Sequence, residues 1–154
     1  TEADRLSEKC IVGSLRSLFP KVTVIGEENM SDSDLPADFI VKDFDESIFK
    51  LTLPLEYQVL TENDIVVWVD PLDGTYDFTE GKLEHVTVLI GIAVKGVPVA
   101  GIMHQPYFEK IQQRTMWGIV GVGTGGFEPK LPPADQFVIT TTSSHYNRNT
   151  KRSL

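Results

Sequence analysis

Two carboxylates stand three residues apart at the end of an apolar run, Asp70 and Asp73 in Val67-Trp68-Val69-Asp70-Pro71-Leu72-Asp73-Gly74-Thr75. Ile65–Val69 is apolar enough for a buried strand, and a charge set directly at the end of such a strand needs a partner. Gly74 and Thr75 follow, with unhindered backbone N–H groups at an expected helix start, where an anion can sit. Alone, an Asp-Pro-x-Asp segment is most often a turn aspartate plus a helix cap. A second strand, ending at Ile25, leads into another acidic pair in Gly26-Glu27-Glu28. Carboxylates delivered to one place by two strand ends are tolerable only with cations. Oxygen ligands without cysteine or a close histidine pair favour Mg²⁺ over zinc. Carboxylates, Mg²⁺ and an anion-binding turn together point to phosphoryl-group hydrolysis.

The elements that must position these residues can be read from periodicity. Leu6, Cys10, Ile11, Leu15, Leu18 and Phe19 recur at three- and four-residue spacing and predict a helix stopped by Pro20. Thr1 with Asp4 fits the [ST]-x-x-[DE] capping box, the plainest account of that aspartate. Val22–Ile25 is a short strand. Residues 29–64, acidic and carrying Pro36 and Pro54, predict an irregular surface excursion with one helical turn. Val86–Val94 and Val97–Met103 flank Lys95-Gly96, a two-residue hairpin signal. Met116–Val120 with Gly126–Phe127 suggests a further hairpin, and Phe137–Thr141 one more strand. Gly121-Val122-Gly123-Thr124-Gly125-Gly126 fits the GxGxxG pattern, but the prolines that follow forbid the helix such a fingerprint needs, so a loose turn is expected. Trp68 and Trp117 are expected in the core. The sum is an α+β fold, helices packed on a mostly antiparallel sheet.

Composition narrows the partners. The 154 residues fit one domain by length, and 41% hydrophobic content says globular. Fourteen basic against 22 acidic residues give −8, which disfavours nonspecific binding to nucleic acid or an anionic membrane. Cys10, the single cysteine, excludes an intrachain disulfide and leans towards a reducing, cytoplasmic compartment. No signal peptide or apolar run of spanning length is visible. The chain starts inside a helical pattern and trails away in Asn-Arg-Asn-Thr-Lys-Arg-Ser-Leu, so a piece of a longer protein is expected.

Gly26-Glu27-Glu28 and Asp70-Pro71-Leu72-Asp73-Gly74-Thr75 resemble the lithium-sensitive, Mg²⁺-dependent phosphatase superfamily that includes inositol monophosphatase and fructose-1,6-bisphosphatase. Thr1–Arg5, Tyr76–Gly81, Val86–Ala93 and Ile139–His145 are similar to its bisphosphate nucleotidase branch. The resemblance implies hydrolysis of adenosine 3′,5′-bisphosphate to AMP and phosphate, with inositol phosphates as the alternative substrates and a noncatalytic metal- or partner-binding piece as the alternative role. It implies that Glu27, Asp70 and the Leu72 carbonyl hold one Mg²⁺ and that Asp70 and Asp73 reach a second. Thr75 and Asp4 would orient and deprotonate the attacking water, Gly74 and Thr75 would hold phosphate, and Thr142 and His145 would contact the nucleotide. It further implies a two-domain layered sugar-phosphatase-like fold, with residues 1–134 the metal-binding domain and 135–154 the start of a second, and with the remaining ligands in a C-terminal domain outside this chain. The Trp-Asp segment that carries a further ligating Asp in the superfamily does not occur here, and Tyr76-Asp77 stands where a Lys-Glu pair is expected.

Overall fold

The computed structural model describes residues 1–28, 39–109 and 112–138. Helix α1 spans Glu2–Leu18, capped by Thr1 and ended at Phe19 before Pro20. Its buried face is not the apolar stripe expected from the sequence. Asp4, Glu8 and Val12 lie four residues apart and are buried, Ile11 and Leu15 are packed beside them, and Leu6 is 40% exposed. The C-terminal half of the helix therefore buries hydrocarbon, and the N-terminal half buries carboxylates.

Six strands form one sheet in chain order: β1 (Thr23–Gly26), β2 (Ile65–Asp73), β3 (Thr87–Val94), β4 (Val97–Gln105), β5 (Arg114–Ile119) and β6 (Gly123–Gly125). β1 is parallel to β2, and every other neighbouring pair is antiparallel. Val24 is paired with Val67, and Val69 with Ile90, on the face that α1 covers. Together with Val12 these side chains make the core, each burial being worth roughly 1.5–3 kcal/mol. The β3–β4 hairpin turns on Lys95 (φ 51°) and Gly96 (φ 79°), both left-handed as a two-residue primed turn demands. Glycines 123 and 125 pair with β5 in a hairpin, so the GxGxxG segment is a turn.

Three expectations are corrected here. The strand read as ending at Val69 continues through Asp70-Pro71-Leu72-Asp73 as part of β2. Asp70 pairs with Leu89 and Asp73 with Thr87, so three steps on β2 match two on β3, a β-bulge that tolerates Pro71 without an N–H to donate. Trp68 is 54% exposed rather than core, because it alternates onto the sheet face opposite α1. Residues 39–64 hold three short helical turns rather than one: Ile48–Lys50, α2 (Leu55–Gln58) and Glu62–Asp64. This segment is tied to α1 where Cys10 Sγ donates to the Phe39 carbonyl (3.2 Å) and the Val41 N–H donates to Ser14 Oγ (2.9 Å). α3 (Thr75–Thr79) follows β2 directly. Phe137 and Val138 are exposed and in no strand; the rest of that expected strand lies outside the described residues. No described helix is long and apolar enough to cross a membrane.

Candidate metal and phosphate site

The parallel pairing sets the first geometry. Gly26 is in register with Val69, and the Glu27 N–H continues the ladder to the Val69 carbonyl (3.1 Å), so Glu27 comes level with Asp70 on the same side of the sheet. Their carboxyl groups come within hydrogen-bonding reach of each other. The bulge sets the second. In a regular strand, residues three apart face opposite sides. The extra residue puts Asp73 on the same face as Asp70, opposite Thr87 and Leu89. Asp70 Oδ1 accepts the Leu72 N–H (3.2 Å), and Asp73 Oδ2 accepts the Thr87 hydroxyl (3.1 Å). Glu27 and Asp70 line an open cleft of about 620 Å³ together with Ile25, Trp68, Leu89 and Gly91.

Gly74 caps α3 in the left-handed region (φ 88°), which turns the chain sharply after Asp73 and brings Thr75 back over β2. The Thr75 hydroxyl lies 3.2 Å from Asp4 Oδ1 and 3.1 Å from the Leu72 carbonyl. Asp4 is thus both the capping residue of α1, its Oδ2 accepting from the Thr1 hydroxyl, and the partner of Thr75 across the fold, through its Oδ1.

The electrostatics follow from this crowding. The negative charge of Asp70 is the main reason Glu27 holds its proton above the ordinary range, with burial and the hydrogen bond to Asp70 adding to it. Burial does most to raise Asp70, opposed by the Leu72 N–H and assisted by the charge of Asp73. Burial also works against charge on Asp4, but the hydrogen bonds from the amino terminus, Thr1, its own N–H and Thr75 outweigh it and hold that carboxyl low.

Among the described residues, no group of three or more acidic, histidine or cysteine side chains is gathered in a metal-holding arrangement. What is gathered is the Glu27–Asp70 pair, with Asp73 turned to Thr87. An oxygen-only donor set fits a hard cation, and mutual repulsion between two apposed carboxylates is what a divalent ion offsets. The Leu72 N–H bonds Asp70, the charge of Asp4 is felt by both members of the pair, and Thr75, next to Gly74, bonds Asp4 and the Leu72 carbonyl. Thr142 and His145 lie outside the described residues. Sequence reasoning passed over Thr87, buried against Asp73, and Glu8, buried one turn along α1 from Asp4. The i, i+4 spacing of two acids on one helical face was the signal for Glu8.

The profile described as the inositol monophosphatase family matches residues 1–153. The human protein named 3′(2′),5′-bisphosphate nucleotidase 1 is 46% identical over 96% of this chain and 50% of its own length. The chain thus spans about half the length of the curated relatives it matches. Among solved structures, inositol monophosphatase II from Staphylococcus aureus superposes with a TM-score of 0.56 at 25% identity, over 86% of this chain and 39% of that one. An IMPase/NADP phosphatase complexed with Mg²⁺ and phosphate shares the fold at TM-score 0.52 and 17% identity, over 80% of this chain and 36% of that one.

Proposed function

The chain belongs to the inositol monophosphatase family, and from that premise we propose that the protein is a Mg²⁺-dependent phosphatase that removes the 3′-phosphate of adenosine 3′,5′-bisphosphate to leave AMP. The observation that carries this reading is the apposition of Glu27 and Asp70 at the ends of two parallel neighbouring strands, with the Asp4–Thr75 pair alongside. Its preference for the nucleotide over an inositol phosphate draws support from the 46% identity to the human nucleotidase. A reducing, cytoplasmic setting fits the single cysteine.

Glu27, Asp70 and the Leu72 carbonyl are the oxygens that would hold one Mg²⁺, and Asp70 with Asp73 those that would reach a second. Bound there, Mg²⁺ supplies a water of lowered pKa and neutralises phosphoryl charge. The Thr75 hydroxyl has one proton and two acceptors within reach. Donating it to Asp4 frees the Leu72 carbonyl to act as a ligand and leaves the hydroxyl oxygen to accept from a water. The water oxygen then bonds to phosphorus, the bond from phosphorus to the 3′-oxygen breaks, the water proton passes through Thr75 to Asp4, and the departing 3′-oxygen takes a proton from solvent water to become the 3′-hydroxyl. Asp4, whose Oδ1 lies 3.2 Å from the Thr75 hydroxyl, is the carboxylate placed to receive it. Gly74 and Thr75 offer N–H groups at the first turn of α3, which lack helical acceptors, to the phosphate. Thr142 and His145 are assigned to the nucleotide.

Phosphate release from adenosine 3′,5′-bisphosphate and from inositol 1-phosphate, with and without Mg²⁺, tests the reading on this chain and on the full-length protein. Mg²⁺-dependent turnover favouring the nucleotide supports it. Preference for inositol 1-phosphate replaces the substrate, and metal binding without release from either compound by the full-length protein overturns the activity.

A further inference from the structure

We propose that Glu8 is a positioning residue for Glu27: its buried carboxylate reaches across from α1, fixes the backbone of Gly26–Glu28 and thereby sets Glu27 against Asp70. The inference rests on the metal-site reading above and deepens it.

Glu8 is 2% exposed and among the largest fully buried side chains. A carboxylate is seldom buried so far unless it is held by donors. Its Oε2 accepts the Glu28 N–H at 2.7 Å, within the range of a charge-assisted bond. It also occupies the space beside Gly26, where an added Cβ would stand 2.5 Å from Glu8 Cδ, 2.6 Å from Oε1 and 2.7 Å from Oε2. The glycine at the end of β1 thus leaves that space to the acid on α1, and a Cβ there would displace the Glu8 carboxyl group.

The consequence falls on the residue between. The Glu27 N–H is held by the Val69 carbonyl of β2 at 3.1 Å, and the next N–H, that of Glu28, by Glu8 of α1. Two successive peptide groups are clamped by different elements, which leaves Glu27 little backbone freedom. The Glu28 side chain is drawn to Arg5 Nε at 3.8 Å, one helical turn before Glu8. The two adjacent glutamates are sorted in this way, Glu28 towards α1 and Glu27 towards Asp70. Without an acceptor at position 8 the Glu28 N–H turns to water, and the loop that aims Glu27 loses one of its two anchors.

Calorimetric titration of this chain with Mg²⁺, repeated with Mn²⁺, tests the proposal on four variants. Glu8→Ala should weaken binding about tenfold or more, as loss of a partner behind a ligand typically does. Glu8→Gln, which keeps an oxygen acceptor, should restore most of the affinity. Val12→Ala, on the same helix face, should lower Tm and leave affinity unchanged. Gly26→Ala should weaken binding alone but add nothing in the Glu8→Ala background, where the group it collides with is gone. Wild-type chain that binds neither ion overturns the metal-site reading and this inference with it. Wild-type binding that is unchanged in Glu8→Ala overturns the positioning role alone, as does equal loss in Val12→Ala. If Glu8→Ala does not fold, Gly26→Ala decides: weakened binding supports the role and unchanged binding rejects it.

Discussion

Replacing Thr75 with valine keeps the shape of the side chain and removes one hydroxyl that lies 3.2 Å from Asp4 Oδ1 and 3.1 Å from the Leu72 carbonyl. A hydroxyl has a single proton, so one hydrogen bond is lost, not two. The acceptor that matters is Asp4, which is 2% exposed and ionised, and a bond to a charged acceptor is worth about 1.5–3 kcal/mol. At ~2–4 °C per kcal/mol for a chain of this size, Tm should fall by roughly 3–12 °C. Thr75→Ser, which keeps the donor, should lose much less.

A double-mutant cycle isolates the contact. Thr75→Val measured in the wild type and in an Asp4→Ala background should differ by more than about 0.5 kcal/mol in urea unfolding, because the two side chains touch. In the full-length enzyme the same substitution should cut kcat by ~10²–10⁴, with Mg²⁺ affinity little changed. A Thr75→Val protein with unaltered Tm and a coupling of zero would refute the pairing, and near-normal kcat would refute its use as the route to the base.

Asp70→Asn should nearly abolish turnover, and a variant retaining more than a tenth of wild-type kcat, under ~1.4 kcal/mol of barrier, would remove Asp70 from its shared role. Glu27 and Asp70 hold protons above their ordinary values of 4.5 and 3.8. The metal-free fold therefore gains from both acids being protonated and gives up that stability as pH rises through their raised range. Its Tm should drop between about pH 4 and neutrality, less so in Asp70→Asn, and Mg²⁺ should reverse the drop; a flat profile contradicts this. Gly74→Ala, at φ 88° with a Cβ 3.2 Å from the His85 carbonyl, should destabilise the chain by about 1–2 kcal/mol in urea titration. His145→Ala should raise KM for the nucleotide with kcat retained, and lithium should inhibit the full-length enzyme; the reverse kinetic split would make His145 catalytic instead.

The candidate ligand residues were legible because their types are costly to place anywhere else. Asp70, Asp73 and Glu27 follow apolar runs in the sequence, and acids at two such places are costly without a cation. How they converge was not legible. A spacing of three reads as opposite faces of a strand, and only the bulge at Pro71-Leu72 puts Asp70 and Asp73 on one face. Nor does hydropathy reveal a buried acid, so the helix face was drawn through Leu6 and Phe19, both partly exposed, and missed Glu8. Trp68 sits in a run that reads as buried on both sides, yet α1 covers only one side of the sheet. The left-handed pair Lys95-Gly96 and the glycine hairpin were readable because their signals are local turn chemistry.

The helix cap that the sequence offered for Asp4 and the base role proposed for it draw on one arrangement. One carboxylate oxygen closes the cap at Thr1, and the other faces Thr75 at the start of α3. A helix N-terminus favours a negative charge in its first turn, so the cap also favours the ionised form of Asp4. The sheet makes the meeting possible. Among the described strands, β1 and β2 are the parallel pair, and only a parallel pair brings two C-terminal ends to the same edge. Had β1 run antiparallel, Glu27 would leave at the far end of β2 from Asp70. The helix that connects into β1 must then start beside that edge for Asp4 to reach Thr75, and its next turn must carry an acceptor for the loop that holds Glu27. Asp4 and Glu8, one turn apart in the N-terminal half of α1, meet that requirement, Asp4 bonded to Thr75 and Glu8 to the Glu28 N–H.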